Sequence, residues 1–319
     1  MKKAFAPATV ANVACGFDVL GLAVEAPGDV VTADLAGADT SGTPGKIHLE
    51  IEGDAGRLPR DPERNTTSVA ARAFLDRYAP DTSIRLKLEK GLPLASGMGS
   101  SAASAVAAVV AVNDLLGVGA TLDELLTCAL EGERVAAGAA HADNAAACLY
   151  GGFVLVRGAA PSLDVIRLPV PEGLSVALVR PHLELSTKDS RTLLGSEVRL
   201  RDAVTQWGNL GGLVAGLYRE DWDLMARSLV DVIAEPIRSN QVPGFADVRR
   251  AALESGALGC SLSGSGPAMF ALCRNRDTAD AVSRAMASAF SDAAGLETDV
   301  HVSPVSKEGA RPEVESCAS

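Results

Sequence analysis

At 319 residues, 47% hydrophobic and 22% charged, the chain is long enough for two domains, or one large one, around a buried core. Its formal net charge of −11 argues against a surface built for nucleic acid or anionic membrane, which needs a basic footprint, so any phosphate ligand must be bound by a local site. The six cysteines, Cys15, Cys128, Cys148, Cys260, Cys273 and Cys317, contain no C-x-x-C pair, which argues for reduced thiols rather than a zinc ribbon or redox motif. Met1-Lys2-Lys3 leads into Ala4-Phe5-Ala6-Pro7 and not into a sustained apolar run, so neither a secretory signal nor a membrane span is expected, and the expected compartment is the cytoplasm.

The first 90 residues read mainly as strands and turns. Val30-Val31-Thr32-Ala33-Asp34-Leu35 and Ile84-Arg85-Leu86-Lys87-Leu88 alternate at period two, and a helix over residues 67–77 interrupts them. The N-terminal segment from Pro7 to Gly21 carries Asn12 and Asp18 in apolar surroundings, where such residues often only close turns.

Pro93-Leu94-Ala95-Ser96-Gly97-Met98-Gly99-Ser100-Ser101-Ala102-Ala103-Ser104 sets two glycines and four hydroxyls ahead of an alanine- and valine-rich helix over residues 100–116 that stops at Gly117. Glycines let backbone N–H groups converge, and a helix N-terminus adds unpaired donors and a positive dipole end, so the stretch reads as a phosphate cradle that needs no nearby lysine. Ordinary capping of a buried helix is the plainer alternative. Neither a Walker loop nor a dinucleotide fingerprint fits, since no lysine follows the second glycine and Ala102 occupies the place of a third.

The next helix opens with the capping box Thr121-x-x-Glu124. At 100° per residue Leu122, Leu125, Leu126, Ala129 and Leu130 share one face, and Glu133 falls in the middle of it while Glu131 lands opposite. An inward carboxylate needs a partner, either an arginine or a cation. The neighbouring cradle favours the cation, because Mg²⁺ takes one or two carboxylates and completes its shell with phosphate oxygens and water. His141-Ala142-Asp143-Asn144 then compresses polar side chains that can orient a substrate.

After Phe153-Val154-Leu155-Val156 a Gly/Ala/Pro run and a further strand over residues 174–179 place a domain boundary near residues 160–172. Helices are expected over 196–218, 222–233, 245–255 and 278–294, with strands near Val176, over 269–273 and over 298–302, a pattern for an α+β sandwich with helices on one face. The cluster Gly259-Cys260-Ser261-Leu262-Ser263-Gly264-Ser265-Gly266-Pro267 is either a bulged turn or a loop that closes on the cradle across the domain interface. The tail Pro312-Glu313-Val314-Glu315-Ser316 reads as a frayed end.

The cradle, the segment from Pro7 to Gly21 and the cluster Leu262-Ser263-Gly264-Ser265-Gly266-Pro267 resemble, in order and spacing, the three motifs of the GHMP small-molecule kinases. Within that superfamily the chain most resembles the homoserine kinases, through Asn12 with Gly16-Phe17-Asp18, the His141 to Asn144 segment before Leu149-Tyr150-Gly151-Gly152, Ser186-Thr187-Lys188-Asp189-Ser190-Arg191, and Glu235-Pro236-x-Arg238 before Pro243-Gly244. The resemblance implies a two-domain GHMP kinase fold of the α+β class. Its N-terminal ATP-binding domain, residues 1–165, would be mixed α/β with a left-handed βαβ phosphate-loop unit. Its C-terminal domain, residues 166–307, would be a ferredoxin-like sandwich, and residues 308–319 a flexible acidic tail.

The implied chemistry is ATP-dependent phosphorylation of the side-chain hydroxyl of L-homoserine, on the way to threonine. Pro93, Leu94, Ala95, Ser96, Gly97, Met98, Gly99, Ser100, Ser101, Ala102 and Ala103 would hold ATP phosphates, with Asn65 near adenine. Glu133 and Ser100 would ligate Mg²⁺. Asn12, Asp18, His141, Asn144, Thr187, Arg191, Arg238 and Gly264 would surround the amino acid, since guanidinium forks match a carboxylate and Asp18 an ammonium. Asn144 would steer the hydroxyl, Asp143 is the candidate base where one is needed, and a homodimer is what the resemblance suggests. Ala14-Cys15, Met98 and Ala268 depart from the family pattern without removing a proposed ligand. A kinase of mevalonate, a sugar or an isoprenoid precursor is the nearest alternative, and a catalytically silent nucleotide-binding regulator the next. A serine hydrolase lacks its G-x-S-x-G elbow.

Overall fold

The computed structural model describes residues 1–36, 45–137, 142–158 and 162–313. A long antiparallel pair opens the chain, β1 (Lys2–Ala11) and β2 (Leu20–Leu35). β3 (Ile47–Glu52), α1 (Thr66–Tyr78) and β4 (Ile84–Glu89) form a βαβ unit in which β3 and β4 run parallel. In β4 the period-two reading holds, with Ile84, Leu86 and Leu88 buried. Next come α2 (Ser100–Leu116), α3 (Leu122–Ala137), α4 (Ala142–Tyr150), β5 (Phe153–Arg157) and β6 (Asp164–Leu168).

α2 is buried from Ala102 through Val112 and carries nothing larger than valine over that length. Such small side chains let it touch β1, β2, α1, α3 and α4 at once. It is the central rod of the N-terminal half.

The second half holds β7 (Ser175–Pro181), α5 (Thr187–Thr192), α6 (Leu200–Arg219), α7 (Trp222–Ser228), α8 (Glu235–Arg238), α9 (Phe245–Glu254), β8 (Gly259–Leu262), β9 (Met269–Cys273), α10 (Arg276–Ala294), β10 (Thr298–Pro304) and β11 (Arg311–Glu313). Among the described residues the strands form two sheets. The first has the order β11-β1-β2-β4-β3, with β5 pairing both β2 and β6, and the second is antiparallel in the order β10-β7-β9-β8. Ala177, Val179, Met269 and Ala271 turn to α9 and α10 as one core. The opposite face, with Val176, Leu178 and Phe270, joins the large core that also takes in Leu213 and Leu217 of α6 and Met225 of α7. The expectation of helices on one face therefore covers only α9 and α10.

Three further differences have local causes. The helix expected to reach residue 233 stops at Ser228, because the Asp231 carboxylate accepts from the N–H groups of Ile233, Ala234 and Glu235 and offers the backbone an alternative to the helix. The helix expected from residue 196 starts at Leu200, after the separate α5. The expected frayed end is ordered through Glu313, since Arg311–Glu313 pairs antiparallel with β1; residues 314–319, with Cys317, lie outside the described residues.

A buried ion pair fastens α2 to the sheet. Asp29 of β2 and Lys90, just past β4, are hydrogen-bonded to each other with almost no exposure. Asp29 also accepts from the N–H groups of Gly91 and Leu92 and from Ser104 Oγ, while Lys90 Nζ reaches Ser100 O, Ser100 Oγ and Ser104 Oγ at 3.0, 2.7 and 3.0 Å. Removing one partner leaves the other charge buried and uncompensated. Asp29→Ala is expected to lose about 3–5 kcal/mol in urea unfolding, and adding Lys90→Met to recover most of that loss.

Candidate active site

The cradle is built from backbone packed closely against its neighbours. Gly97 and Gly99 have φ of 80° and 69°, and Gly99 precedes α2 as an N-cap without a side chain, so the first-turn N–H groups of α2 keep no intrahelical partner. A Cβ on Gly97 would sit 2.5 Å from Ser263 O and 2.8 Å from Gly266 O; one on Gly99 would collide with Thr9 Oγ1. The loop from Ser263 to Ala268 closes on it directly, with Ser263 Oγ donating to Gly97 O at 2.6 Å, Ala268 N to Ser96 O at 3.1 Å and Gly264 N to Ala11 O at 3.2 Å. Residues from both halves of the chain thus line one cavity of about 560 Å³.

Three polar groups stand around it with unbalanced charge. Glu133 of α3 is buried; Oε2 accepts from Ser101 Oγ at 3.1 Å, and Oε1 has no hydrogen-bond partner. No arginine pairs with it among the described residues, and burial raises its carboxyl to about 7, with the Asp143 charge adding to the effect. Asp143 of α4 is likewise buried and pushed up to about 7, first by desolvation and then by Asp18, although Asn144 N donates to its Oδ1 at 2.9 Å. Asn144 Oδ1 accepts from Thr9 Oγ1 at 2.7 Å, which ties α4 to β1 beside Gly99.

The third is Arg238 of α8. It is buried, donates from Nη1 to Gly264 O at 3.2 Å, leaves Nε without a partner, and has no carboxylate within ion-pair distance among the described residues. Burial lowers its pKa, against the opposing charge of Asp18 and together with that of Arg191. Arg191 of α5 instead forms a bidentate pair with Asp18 at 2.6 and 2.7 Å. Both guanidiniums lie over the Phe17 ring, 5.3 Å away for Arg191 and 5.1 Å for Arg238. Asn12, in left-handed backbone, completes this wall: Nδ2 donates to Gly264 O at 2.8 Å and Oδ1 accepts from Asp18 N at 3.0 Å.

The cavity therefore gathers Asn12, Asp18, Asn65, most of the cradle, Glu133, Asp143, Asn144, Arg191, Arg238 and Gly264. His141 and the Thr187 side chain lie outside what the structure describes. Asn65 is turned to its own chain: it caps α1 through Thr67 N at 2.9 Å and donates to Pro59 O at 2.9 Å. The hydroxyl at Glu133 is that of Ser101, whereas Ser100 Oγ is held by Lys90. Lys90 and Thr9 are additions that sequence reasoning missed; Lys90 lies at the cavity where the cradle alone was expected to suffice, although Asp29 already balances its charge.

Cradle, central rod and closing loop define a class, and the chain matches it. Residues 65–152 match the family of GHMP kinases N terminal domain and residues 213–292 that of GHMP kinases C terminal. Homoserine kinase of Chlorobium phaeovibrioides is 51% identical over 316 residues, covering 97% of this chain and 98% of that protein, and homoserine kinase of Chlorobaculum tepidum is 51% identical over 314 residues, covering 96% of each. The crystal structure of homoserine kinase from Cytophaga hutchinsonii superposes with a TM-score of 0.92 at 51% identity, over 98% of this chain and 97% of that one. The chain belongs to the homoserine kinase family of the GHMP kinases.

The raised carboxyl of Asp143 fixes a pH dependence of stability. Its ordinary value is 3.8, so between about pH 4 and 7 the folded chain holds the proton more tightly than the unfolded chain. Stability then falls as pH rises through that window, and the full cost is present above about 7. Asp143→Asn, which keeps the acceptor for Asn144 N–H, is expected to be more stable than the parent by about 2–4 kcal/mol at pH 8 in urea unfolding, the difference shrinking to about 1 kcal/mol near pH 4.5.

Proposed function

We propose that the protein transfers the γ-phosphoryl group of ATP to the side-chain hydroxyl of L-homoserine, giving O-phospho-L-homoserine on the way to threonine. The observation that carries this reading is Arg238, a buried cation without a carboxylate partner, beside Asp18 in the same cavity as the cradle. A zwitterionic amino acid supplies both complements, a carboxylate for the guanidiniums and an ammonium for Asp18. Mevalonate offers only the first and a sugar neither. The fork geometry of arginine suits a carboxylate.

The N–H groups at Gly97 and Gly99 and the uncapped start of α2 would take the nucleotide phosphates. Mg²⁺ fits the donor set on the other side. Glu133 Oε1 is buried without a hydrogen bond, and Ser101 Oγ stands against the same carboxylate, with Ser100 one residue away. Bound there, Mg²⁺ would offset phosphate charge. Asn65, whose amide is spent on its own loop, would shape the nucleotide wall from Pro59 to Thr67.

Phosphoryl transfer depends chiefly on positioning and charge stabilisation, so the hydroxyl is read as attacking the γ-phosphorus directly, steered by Asn144, with Asp143 not required as a base. The reading also carries a cytoplasmic location and a homodimer, whose mass in solution tests the latter. No helix among the described residues is long and apolar enough to cross a membrane.

ADP release with Mg²⁺-ATP and a panel of homoserine, serine, mevalonate and galactose tests the acceptor. Turnover confined to homoserine is expected, and preference for mevalonate would overturn the reading. Arg238→Leu is expected to raise the homoserine KM by about thirtyfold to a thousandfold with the ATP KM within twofold, as removal of a charge-assisted anchor costs about 2–4 kcal/mol. Asp143→Asn is expected to keep turnover within about tenfold, since loss of a general base would cost about 10²–10⁴. Abolished turnover with both substrate affinities intact would make Asp143 the base.

A further inference from the structure

The two walls of the acceptor site belong to distant parts of the chain. One is the N-terminal segment with Asn12 and Asp18, and the other is the α8 segment that ends in Arg238. Asn12, Val13 and Ala14 take φ of 69°, 43° and 56°, three successive side chains in backbone that L residues rarely adopt. Something outside the segment must hold it there.

Gln206 of α6 does so. Its side chain is buried, and its amide Nε2 donates both hydrogens, to Cys15 O at 3.0 Å and to Asp231 Oδ1 at 3.0 Å. Oε1 accepts from Val232 N at 2.9 Å. Cys15 follows the strained residues directly and precedes Gly16-Phe17-Asp18. Asp231, through the N–H groups of Ile233, Ala234 and Glu235, forms the turn that launches α8 toward Arg238. One amide therefore touches the backbone of one wall and both the backbone and the organising carboxylate of the other.

We propose that Gln206 is a positioning residue for the acceptor, setting the spacing between the wall of Asn12 and Asp18 and the guanidinium of Arg238. It acts through Cys15 O and Asp231 and touches neither the cradle nor Glu133. Loss of its amide shifts the two acceptor walls relative to each other and leaves the nucleotide side in place. The inference rests on the acceptor reading above only in naming the substrate.

The test measures KM for both substrates in Gln206→Met, close in size but without the amide, with Asn209→Leu as control. Asn209 lies on the same helix and donates to Val230 O at 2.9 Å, next to the Asp231 turn but away from the N-terminal segment. Gln206→Met is expected to raise the homoserine KM at least tenfold with the ATP KM within twofold, while Asn209→Leu leaves both within twofold. A merely structural role lowers the melting temperature and the active fraction but moves neither KM.

A homoserine KM within twofold of wild type in Gln206→Met, or a parallel rise of both KM values, overturns the proposal. If Gln206→Met does not fold, Gln206→Asn decides by the same split, because it keeps a neutral amide in the pocket but, one methylene shorter, cannot span Cys15 O and Asp231 Oδ1 at once. Should the wild type prefer another acceptor, the substrate reading falls, and the KM split read on that acceptor still decides the role of Gln206.

Discussion

The structure depends on one close approach, that of the backbone at Gly97 and Gly99 to three other segments. Thr9 and Asn144 press on Gly99 from one side, and the carbonyls of Ser263 and Gly266 press on Gly97 from the other. No side chain fits in either gap. The contact is made by β1, α4 and the β8–β9 connection, so the two sheets cannot be separated without opening the cradle. The geometry at the start of α2 and the mutual placement of the two halves are therefore one constraint.

A second consequence is electrostatic. Around the cradle Asp29 and Lys90 cancel each other within a fully bonded cluster, and that part of the site is structural. Glu133, Asp143 and Arg238 are different, being buried with polar atoms or charge left without a counterpart. Burial of this kind costs stability, and a folded chain keeps it where ligands complete the balance. The imbalance is segregated by sign, with carboxylates on the α3 and α4 side and the guanidinium on the α8 side. In the reaction proposed above, a polyphosphate with its cation would suit the first region and a carboxylate the second, and the two substrates would be oriented by where the charges lie.

Much of this was legible in the chain. The helical face of Leu125, Leu126, Ala129 and Leu130 placed Glu133 inward, where it lies, whereas Leu122, counted on the same face, is exposed in the first turn of α3; the alanine- and valine-rich run over residues 100–116 is the buried α2. The glycine–serine cluster closes on the cradle through Ser263 and Ala268, but its first part, Gly259–Leu262, is strand β8 paired antiparallel with β9, so the cluster is in fact the turn of a hairpin together with one of its strands. The buried ion pair was overlooked although its signal existed. Lys90 continues the inward row of Ile84, Leu86 and Leu88, and Asp29 continues that of Val31 and Ala33. Two opposite charges prolonging two inward rows on paired strands call for each other. The early end of α7 was not legible, since it depends on the Asp231 side chain choosing its own backbone, a competition that periodicity does not register. The ordering of Arg311–Glu313 was not legible either, because a three-residue edge strand is defined by its neighbour β1 and not by its own composition.

The pair formed by Asp18 and Arg191 gives the acceptor wall its economy. These two groups satisfy each other bidentately, so neither is left as an isolated charge in a partly exposed position. Under the proposed reading, an amino acid zwitterion that parts them would replace that one pair with two exposed ones, its carboxylate to arginine and its ammonium to Asp18. That exchange is nearly neutral by itself, because an exposed pair is worth little in either partnership. Net affinity must come from a group that gains without giving up a partner. Arg238 meets that condition, and Phe17 holds its guanidinium beside that of Arg191 despite their like charge. On the proposed reading, an acceptor lacking a carboxylate would break the Asp18 pair and leave Arg238 as it was, so discrimination at this wall would arise at Arg238, the group that gains a partner without giving one up.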